Sequence, residues 1–218
     1  MEIALLTLLH ILIPIYWLGG DLGAFYGSGF LLDPKRTVPE RMLSLKILND
    51  IDMAPRTALI LAFPTGFTLA VVKGWLMVSP LLVGAVWIIG LVWLALAWSV
   101  HLSHGKGNTW TRPVDLLLRY LILAGLFASG IMGLAGAIDL PLFVALKFLA
   151  LGCCIGLGLI IRRMLTPLGP AIAQMTSEGP TPETDKALSD VIYKTRPAVM
   201  MIWVLVLVAS YLGIATPI

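Results

Sequence analysis

Residues 81–103 read LLVGAVWIIGLVWLALAWSVHLS, an apolar run that contains no Asp, Glu, Lys or Arg. About 20 such residues in an α-helix are enough to cross the hydrocarbon core of a bilayer. Five further segments have the same character, at residues 3–31, 56–78, 114–137, 141–164 and 197–216. We therefore predict an all-α, polytopic membrane helix bundle that forms a single transmembrane domain over residues 1–218.

The composition of the whole chain supports the same conclusion. Hydrophobic residues make up 59% of the 218 residues and charged residues 12%, about half the ~25% charged share that is usual in soluble domains. A soluble chain of this length cannot hide so much apolar surface from water. The composition therefore excludes a water-soluble enzyme, a disordered chain and a nucleic-acid binder, and it predicts a lipid bilayer as the main partner.

Two polar stretches, at residues 32–55 and 165–196, separate the apolar segments. Within them, residues 39–52 and 182–193 place apolar side chains at helical spacing, which predicts two short amphipathic helices at the membrane interface. The first span begins without a basic segment in front of its apolar core, so we expect a retained helix and not a signal peptide.

The positive charges predict the orientation. One set of alternate loops and adjoining helix ends carries thirteen basic residues, whereas the opposite side carries only Lys73. Basic loops stay in the cytoplasm, so both termini are expected on the outer side. The basic pI near 9.0 then reflects orientation and not an acidic ligand. The thirteen residues are Lys35, Arg36, Arg41, Lys46, Arg56, Lys106, Arg112, Arg119, Arg162, Arg163, Lys186, Lys194 and Arg196.

Ionisable side chains inside a span are costly, which makes each one a candidate functional residue. His10, Pro14, Trp17 and Asp21 follow spacings of four, three and four residues and therefore share one stripe of the first helix. A histidine, a flat aromatic ring and a carboxylate on one stripe suit contact with a planar cofactor. The alternative is a core histidine hydrogen-bonded to a neighbouring carbonyl, and the sequence leaves both open.

Lys147 lies inside the fifth apolar segment and is a further candidate. Counted from the starts of their spans, His10 and Lys147 both lie about 10–12 Å below the outer surface at ~1.5 Å per residue. A buried ammonium group needs a partner or an anionic ligand, such as a propionate. The alternative is that Lys147 extends its ammonium group to the outer headgroups, and this also remains open.

A second polar cluster is predicted toward the cytoplasmic side. His101 and His104 share a helix face at i,i+3 and could bind a metal together with Asp21 or Asp52. Pairing of these histidines with acidic residues at the interface is the alternative. Since only one histidine lies deep in a span, a cytochrome with two bis-histidine haems in the membrane is excluded.

Short motifs resemble a known group of membrane proteins. Leu8-Leu9-His10-Ile11, followed by Trp17-Leu18-Gly19-Gly20, is similar to the opening helix of CopD-like membrane proteins and of HemJ-type protoporphyrinogen oxidases. Leu146-Lys147-Phe148-Leu149 resembles the lysine-bearing helix of the same proteins. The likeness covers about a fifth of the chain.

The resemblance implies a four-helix core with extra helices in a bacterial inner membrane. It implies haem b bound through His10, and Lys147 in a functional role, as in a membrane oxidoreductase of the protoporphyrinogen oxidase type with a quinone or porphyrin partner. Trp17, on the helix stripe of His10, is expected to contact the same cofactor. The CopD likeness implies instead a copper or other metal-ion permease. A non-catalytic membrane subunit, a homo-oligomer and a larger membrane complex also remain open.

Overall fold

The computed structural model describes residues 2–103 and 110–217, which form eight α-helices and no strand within those ranges. This confirms the predicted all-α fold. In chain order the helices are α1 Glu2–Leu32, α2 Val38–Ile51, α3 Met53–Val72, α4 Pro80–Leu102, α5 Thr111–Leu134, α6 Leu142–Met164, α7 Leu168–Glu178 and α8 Pro182–Ala215.

Six segments of the described chain are long and apolar enough to cross a membrane, and they contain α1, α3, α4, α5, α6 and α8. Large apolar side chains cover the outside of the bundle: Leu81 is 84% exposed, Ile88 64% and Leu121 60%. A surface of this kind is stable in lipid and not in water. The chain is therefore a multi-pass membrane protein, as its composition predicts.

Four helices form the centre of the bundle. α1 packs on α3, α3 on α6, α6 on α8 and α8 on α1, which closes a ring. α4 packs on the outside of α3, α5 on the outside of α6, and these two outer helices contact each other. Small residues permit the closest contacts, since a Cβ atom added at Gly90 of α4 would lie 2.7 Å from the Pro64 ring of α3.

The first polar loop contains α2, close to the short helix predicted at residues 39–52. Thr37 and Glu40 form a capping box at its start, in which the Thr37 backbone N–H donates to the Glu40 carboxylate at 2.8 Å. Only Asp52 separates α2 from α3, so the second span begins at Met53 and not at 56. That span ends at Val72 and not at 78, because Trp75 and Leu76 fold back and donate backbone hydrogen bonds to Ala70.

The second polar loop differs more from the prediction. Residues 182–193 do not form a separate short helix, because α8 runs without a break from Pro182 to Ala215. Pro197, the first residue of the predicted segment 197–216, lies inside this helix. A proline inside a helix lacks the backbone N–H that would donate to the carbonyl group four residues earlier. In a membrane protein, neighbouring helices can satisfy the carbonyl group that is left without this donor. The second short helix of the fold is α7, Leu168–Glu178.

A buried arginine joins the helix ends at this side of the bundle. Arg41 of α2 is fully buried; its Nε donates to the Leu31 carbonyl oxygen at 2.7 Å and its Nη1 to Asp185 Oδ1 at 2.7 Å. Ala171 and Met175 of α7 pack with Leu188 of α8 in a small apolar cluster beside it. The end of α1, α2 and the beginning of α8 are thereby held together.

Candidate functional site

The four central helices enclose a cavity of about 340 Å³. Its lining comes from α1, α3, α6 and α8, and from the connection between α3 and α4. The walls are mainly apolar and rich in aromatic rings, a composition typical of sites for small organic molecules and cofactors. The aromatic lining residues are Trp17, Phe63, Phe67, Trp75, Phe143 and Phe148.

His10 lines this cavity and is held by a threonine of α3. The His10 Nδ1 lies 2.9 Å from Thr65 Oγ1, and Thr65 is fully buried. The Thr65 hydroxyl donates its own proton to the Leu61 carbonyl oxygen at 2.7 Å, one helical turn earlier. A hydroxyl has a single proton to donate, so Thr65 accepts a hydrogen bond from His10 Nδ1–H.

This arrangement fixes the tautomer of the neutral imidazole. With its proton on Nδ1, the ring carries a free lone pair on Nε2. Within the part of the chain that the structure describes, Nε2 has no hydrogen-bond partner. A histidine whose second nitrogen is held by a hydrogen bond is arranged as metal-ligating histidines commonly are.

A glycine of α3 makes room for the ring. A Cβ atom added at Gly66 would lie 2.8 Å from His10 Cε1 and 3.3 Å from Nε2. The imidazole therefore lies directly against the backbone of α3, where a larger side chain would displace it. Thr65 and Gly66 together set both the position and the protonated nitrogen of His10.

Lys147 of α6 lines the same cavity as His10, so the matched depths counted from the sequence correspond to a shared site. Its Nζ lies against α8, where a Cβ atom added at Gly213 would be 2.7 Å away. Lys73 lines the cavity too, and its Nζ lies 4.8 Å from the centre of the Trp75 ring. Neither lysine has a carboxylate partner within the described ranges.

The electrostatic character of the cavity follows from these groups. Two lysines and one histidine line it, whereas none of its described lining residues is an aspartate or a glutamate. A buried ammonium group without a counter-charge is unfavourable in an apolar environment. The cavity is therefore suited to a ligand with a large apolar body and at least one anionic group.

Of the other residues predicted on the stripe of His10, Trp17 lies at this cavity and Asp21 lies elsewhere. Trp17 lines the cavity and is buried. Asp21, one turn further along α1, is not among the lining residues; its Oδ2 accepts a hydrogen bond from Trp203 Nε1 at 3.2 Å. The stripe of α1 predicted from the sequence thus splits between a cavity-lining part and a contact with α8.

Of the predicted metal cluster of Asp21, His101 and His104, the structure describes the first two residues. His101 Nε2 lies 3.4 Å from Asp50 Oδ1 of α2, so it has an acidic neighbour other than Asp21. His104 lies outside the described residues. Among the residues that are described, no group of three His, Cys, Asp or Glu side chains is placed to hold a metal ion.

Sequence reasoning missed Thr65, Gly66, Lys73 and Gly213. Thr65 and Gly66 interrupt an apolar segment directly after Pro64, and this Pro-Thr-Gly sequence was the available signal. The charge pattern marks Lys73 only as the single basic residue of its side. Nothing in the sequence indicated that Gly213 would face Lys147, because their contact depends on how α6 packs on α8.

A separate ionic cluster joins the outer helices. Asp115 of α5 is 2% exposed, and its carboxylate accepts hydrogen bonds from Arg119 Nε at 3.0 Å, Arg162 Nη1 at 3.2 Å and Trp93 Nε1 at 3.2 Å. Arg119 lies one turn after Asp115 on α5, whereas Arg162 and Trp93 come from α6 and α4. With two arginines and an indole as partners, this carboxylate has the hydrogen bonds that a buried charge requires.

Comparisons with family models, with curated protein sequences and with solved structures return no match for this chain.

Proposed function

We propose that this chain is a bacterial inner-membrane protein that binds one b-type haem through His10 and has a redox role. One observation carries the proposal. His10 lines an apolar cavity between four membrane helices, and its Nδ1–H is held by Thr65, so that Nε2 keeps a free lone pair. The likeness of the His10 and Lys147 segments to HemJ-type proteins points in the same direction.

The lining residues fit such a group. A neutral imidazole nitrogen commonly binds haem iron in proteins, and His10 Nε2 would hold the iron here. The aromatic side chains of Trp17, Phe63 and Phe148 would contact the flat macrocycle. Lys147 would pair with a propionate, which supplies the negative charge that the cavity lacks.

The chain's own residues have distinct roles in this proposal. Thr65 orients the His10 ring and fixes its tautomer, while the apolar walls exclude water and lower the local dielectric constant. Lys147 binds the anionic group of the cofactor or of a substrate. Haem b bound here would supply one-electron chemistry, with a quinone or a porphyrin as the partner. As an enzyme, the protein would oxidise protoporphyrinogen.

The orientation is part of the proposal. The positive-inside rule puts the thirteen basic residues in or next to the cytoplasm and both termini in the periplasm. Lys73 and Trp75 lie in the connection between α3 and α4 and line the cavity. The cavity then opens toward the periplasmic half of the membrane.

The test is a visible spectrum of the freshly purified protein, oxidised and after reduction with dithionite. We expect a Soret band in the wild type, and its loss in His10→Ala. His101→Ala is the matched control, because it removes another histidine from a helix that contributes no residue to the cavity lining, and it should keep the band. A wild-type protein without a Soret band, expressed with a haem supply, would refute haem binding.

The metal-permease alternative makes a different prediction. Elemental analysis before and after loading should then find copper or zinc bound, and Asp21→Asn should remove it. The separate pairing of Asp21 with Trp203 and of His101 with Asp50 gives that alternative less support than the cavity gives to haem. If substitutions of His10 and Lys147 leave every measured property unchanged, a non-catalytic membrane subunit is favoured.

A further inference from the structure

A second cavity of about 340 Å³ lies where α5 begins and α6 ends. Three of its eight lining residues are arginines, namely Arg112, Arg162 and Arg163, and the described lining contains no acidic residue. We call this cavity the arginine groove. It is separate from the cavity around His10, since the two have no lining residue in common.

The three arginines differ in their partners. Arg162 is anchored, because its Nη1 donates to the buried Asp115 at 3.2 Å while its side chain stays 45% exposed. Arg112 and Arg163 are exposed, and neither has a carboxylate partner among the residues that the structure describes. Asp115 is already shared with Arg119, so the groove keeps an excess of positive charge.

The rest of the lining is amphipathic. Tyr120 and Thr166 add hydroxyl groups, whereas Leu116 and Leu159 add apolar surface that belongs to the membrane-spanning helices. Leu116 is 37% exposed, and Leu117 and Leu121 beside it are 59% and 60% exposed. The arginines therefore lie at one end of an apolar strip that faces the lipid chains.

We propose that the arginine groove binds the phosphate of an anionic phospholipid, with the acyl chains lying along α5. Guanidinium groups bind phosphate oxygens through paired, charge-assisted hydrogen bonds and are weakly hydrated. Basic grooves between membrane helices on the cytoplasmic side are a known form of headgroup site. A free phosphate ion would make the same polar contacts but would not cover the apolar strip, and this favours the lipid.

The experiment uses the purified full chain in neutral detergent after lipid removal. Native mass spectrometry measures binding of phosphatidylglycerol, with phosphatidylcholine as the neutral reference. We expect wild type to prefer phosphatidylglycerol, and Arg112→Gln/Arg163→Gln to bind it about 25-fold more weakly, roughly fivefold for each arginine removed. The side chains of Arg112 and Arg163 are exposed, so the unfolding temperature without lipid should be unchanged. If the double variant is unstable, Arg163→Gln alone is used, and its affinity for the lipid should fall about fivefold.

The matched control is Lys35→Gln/Lys46→Gln, which removes two exposed positive charges from outside the groove. This control should keep the preference for phosphatidylglycerol. An equal loss of lipid affinity in the control would mean that the whole basic surface attracts the lipid and not the groove, and it would overturn the proposal. Inorganic phosphate at millimolar concentration should leave the lipid adducts in place. Displacement of the lipid by phosphate would assign the groove to a soluble anion and would also overturn it.

Discussion

The Nδ1 of His10 on α1 lies 2.9 Å from the hydroxyl oxygen of Thr65 on α3. Because Thr65 donates its proton to Leu61, this contact determines which nitrogen of the imidazole is protonated. It also joins two of the four helices that line the central cavity. The relationship links the packing of α1 on α3 to the chemistry available at His10 Nε2.

Replacing Thr65 with valine keeps the size of the side chain and removes the acceptor for His10 Nδ1–H. We expect haem to be bound about tenfold more weakly, which is the lower end of what loss of such a supporting hydrogen bond costs a metal site. The measurement is a haem titration of the purified apoprotein, followed at the Soret band.

Thr68→Val is the matched control for that variant. Thr68 lies on the same helix, donates to the Pro64 carbonyl oxygen at 2.7 Å and accepts from Trp87 Nε1 at 2.8 Å. Its loss should cost comparable stability without changing haem affinity. If the two variants bind haem equally, Thr65 has no specific role in positioning His10.

Lys147 is expected to select for an anionic group on the ligand. Wild type should bind haem about tenfold more tightly than haem dimethyl ester, because the ester lacks the propionate charges that a lysine can pair with. Lys147→Met should remove this preference while keeping the apolar stem of the side chain. Competition between the two porphyrins, measured by absorbance, gives the ratio.

The control for Lys147→Met is Lys46→Met, which removes an exposed lysine of α2 and should leave the ratio unchanged. A preference for the free acid that survives in Lys147→Met would assign propionate binding to another group, with Lys73 the remaining lysine of the cavity. A wild type without any preference would contradict the anionic ligand itself.

The sequence was sufficient to predict the number of spans and the fold class, because a bilayer requires long apolar helices. Such helices give the chain an amino-acid composition that soluble proteins do not have. It also placed His10 and Lys147 at matching depths and Trp17 on the helix stripe of His10, since helix geometry converts residue number into distance and direction. Hydropathy could not predict α8, because its first part is polar and contacts α7, and Pro197 looks like a helix start.

The partners of the candidate site could not be predicted in the same way. Thr65 is one of several threonines in apolar segments, and nothing local to it indicates that it faces His10 on another helix. The same holds for Gly213 and Lys147. These pairs depend on the rotation and register of packed helices, which small residues and close contacts determine and periodicity alone does not.

Cysteine accessibility tests the orientation. In a background with Cys153 and Cys154 replaced by alanine, Met77→Cys should react with a membrane-impermeant maleimide added to bacterial spheroplasts. Met77 is 92% exposed in the connection between α3 and α4. Lys46→Cys, on α2, should react only after the membrane is permeabilised. The reverse pattern of labelling would invert the proposed topology.

The ion pair between Arg41 and Asp185 should be essential for stability. Asp185→Asn leaves the fully buried Arg41 guanidinium without its carboxylate, and we expect a loss of about 3 kcal/mol in the free energy of unfolding. The measurement is chemical unfolding in mixed micelles, followed by circular dichroism. Asp190→Asn is the control, because the Lys186–Asp190 pair on α8 is exposed, and it should cost at most about 1 kcal/mol.

A double replacement separates the charge from the packing. Arg41→Met/Asp185→Leu removes both charges and puts apolar side chains in their place, so it should be more stable than Asp185→Asn alone. That result would show that the cost arises from an unpaired buried guanidinium. If Asp185→Asn is no worse than Asp190→Asn, the Leu31 carbonyl alone is sufficient to hold Arg41, and the junction of α1, α2 and α8 does not depend on the ion pair.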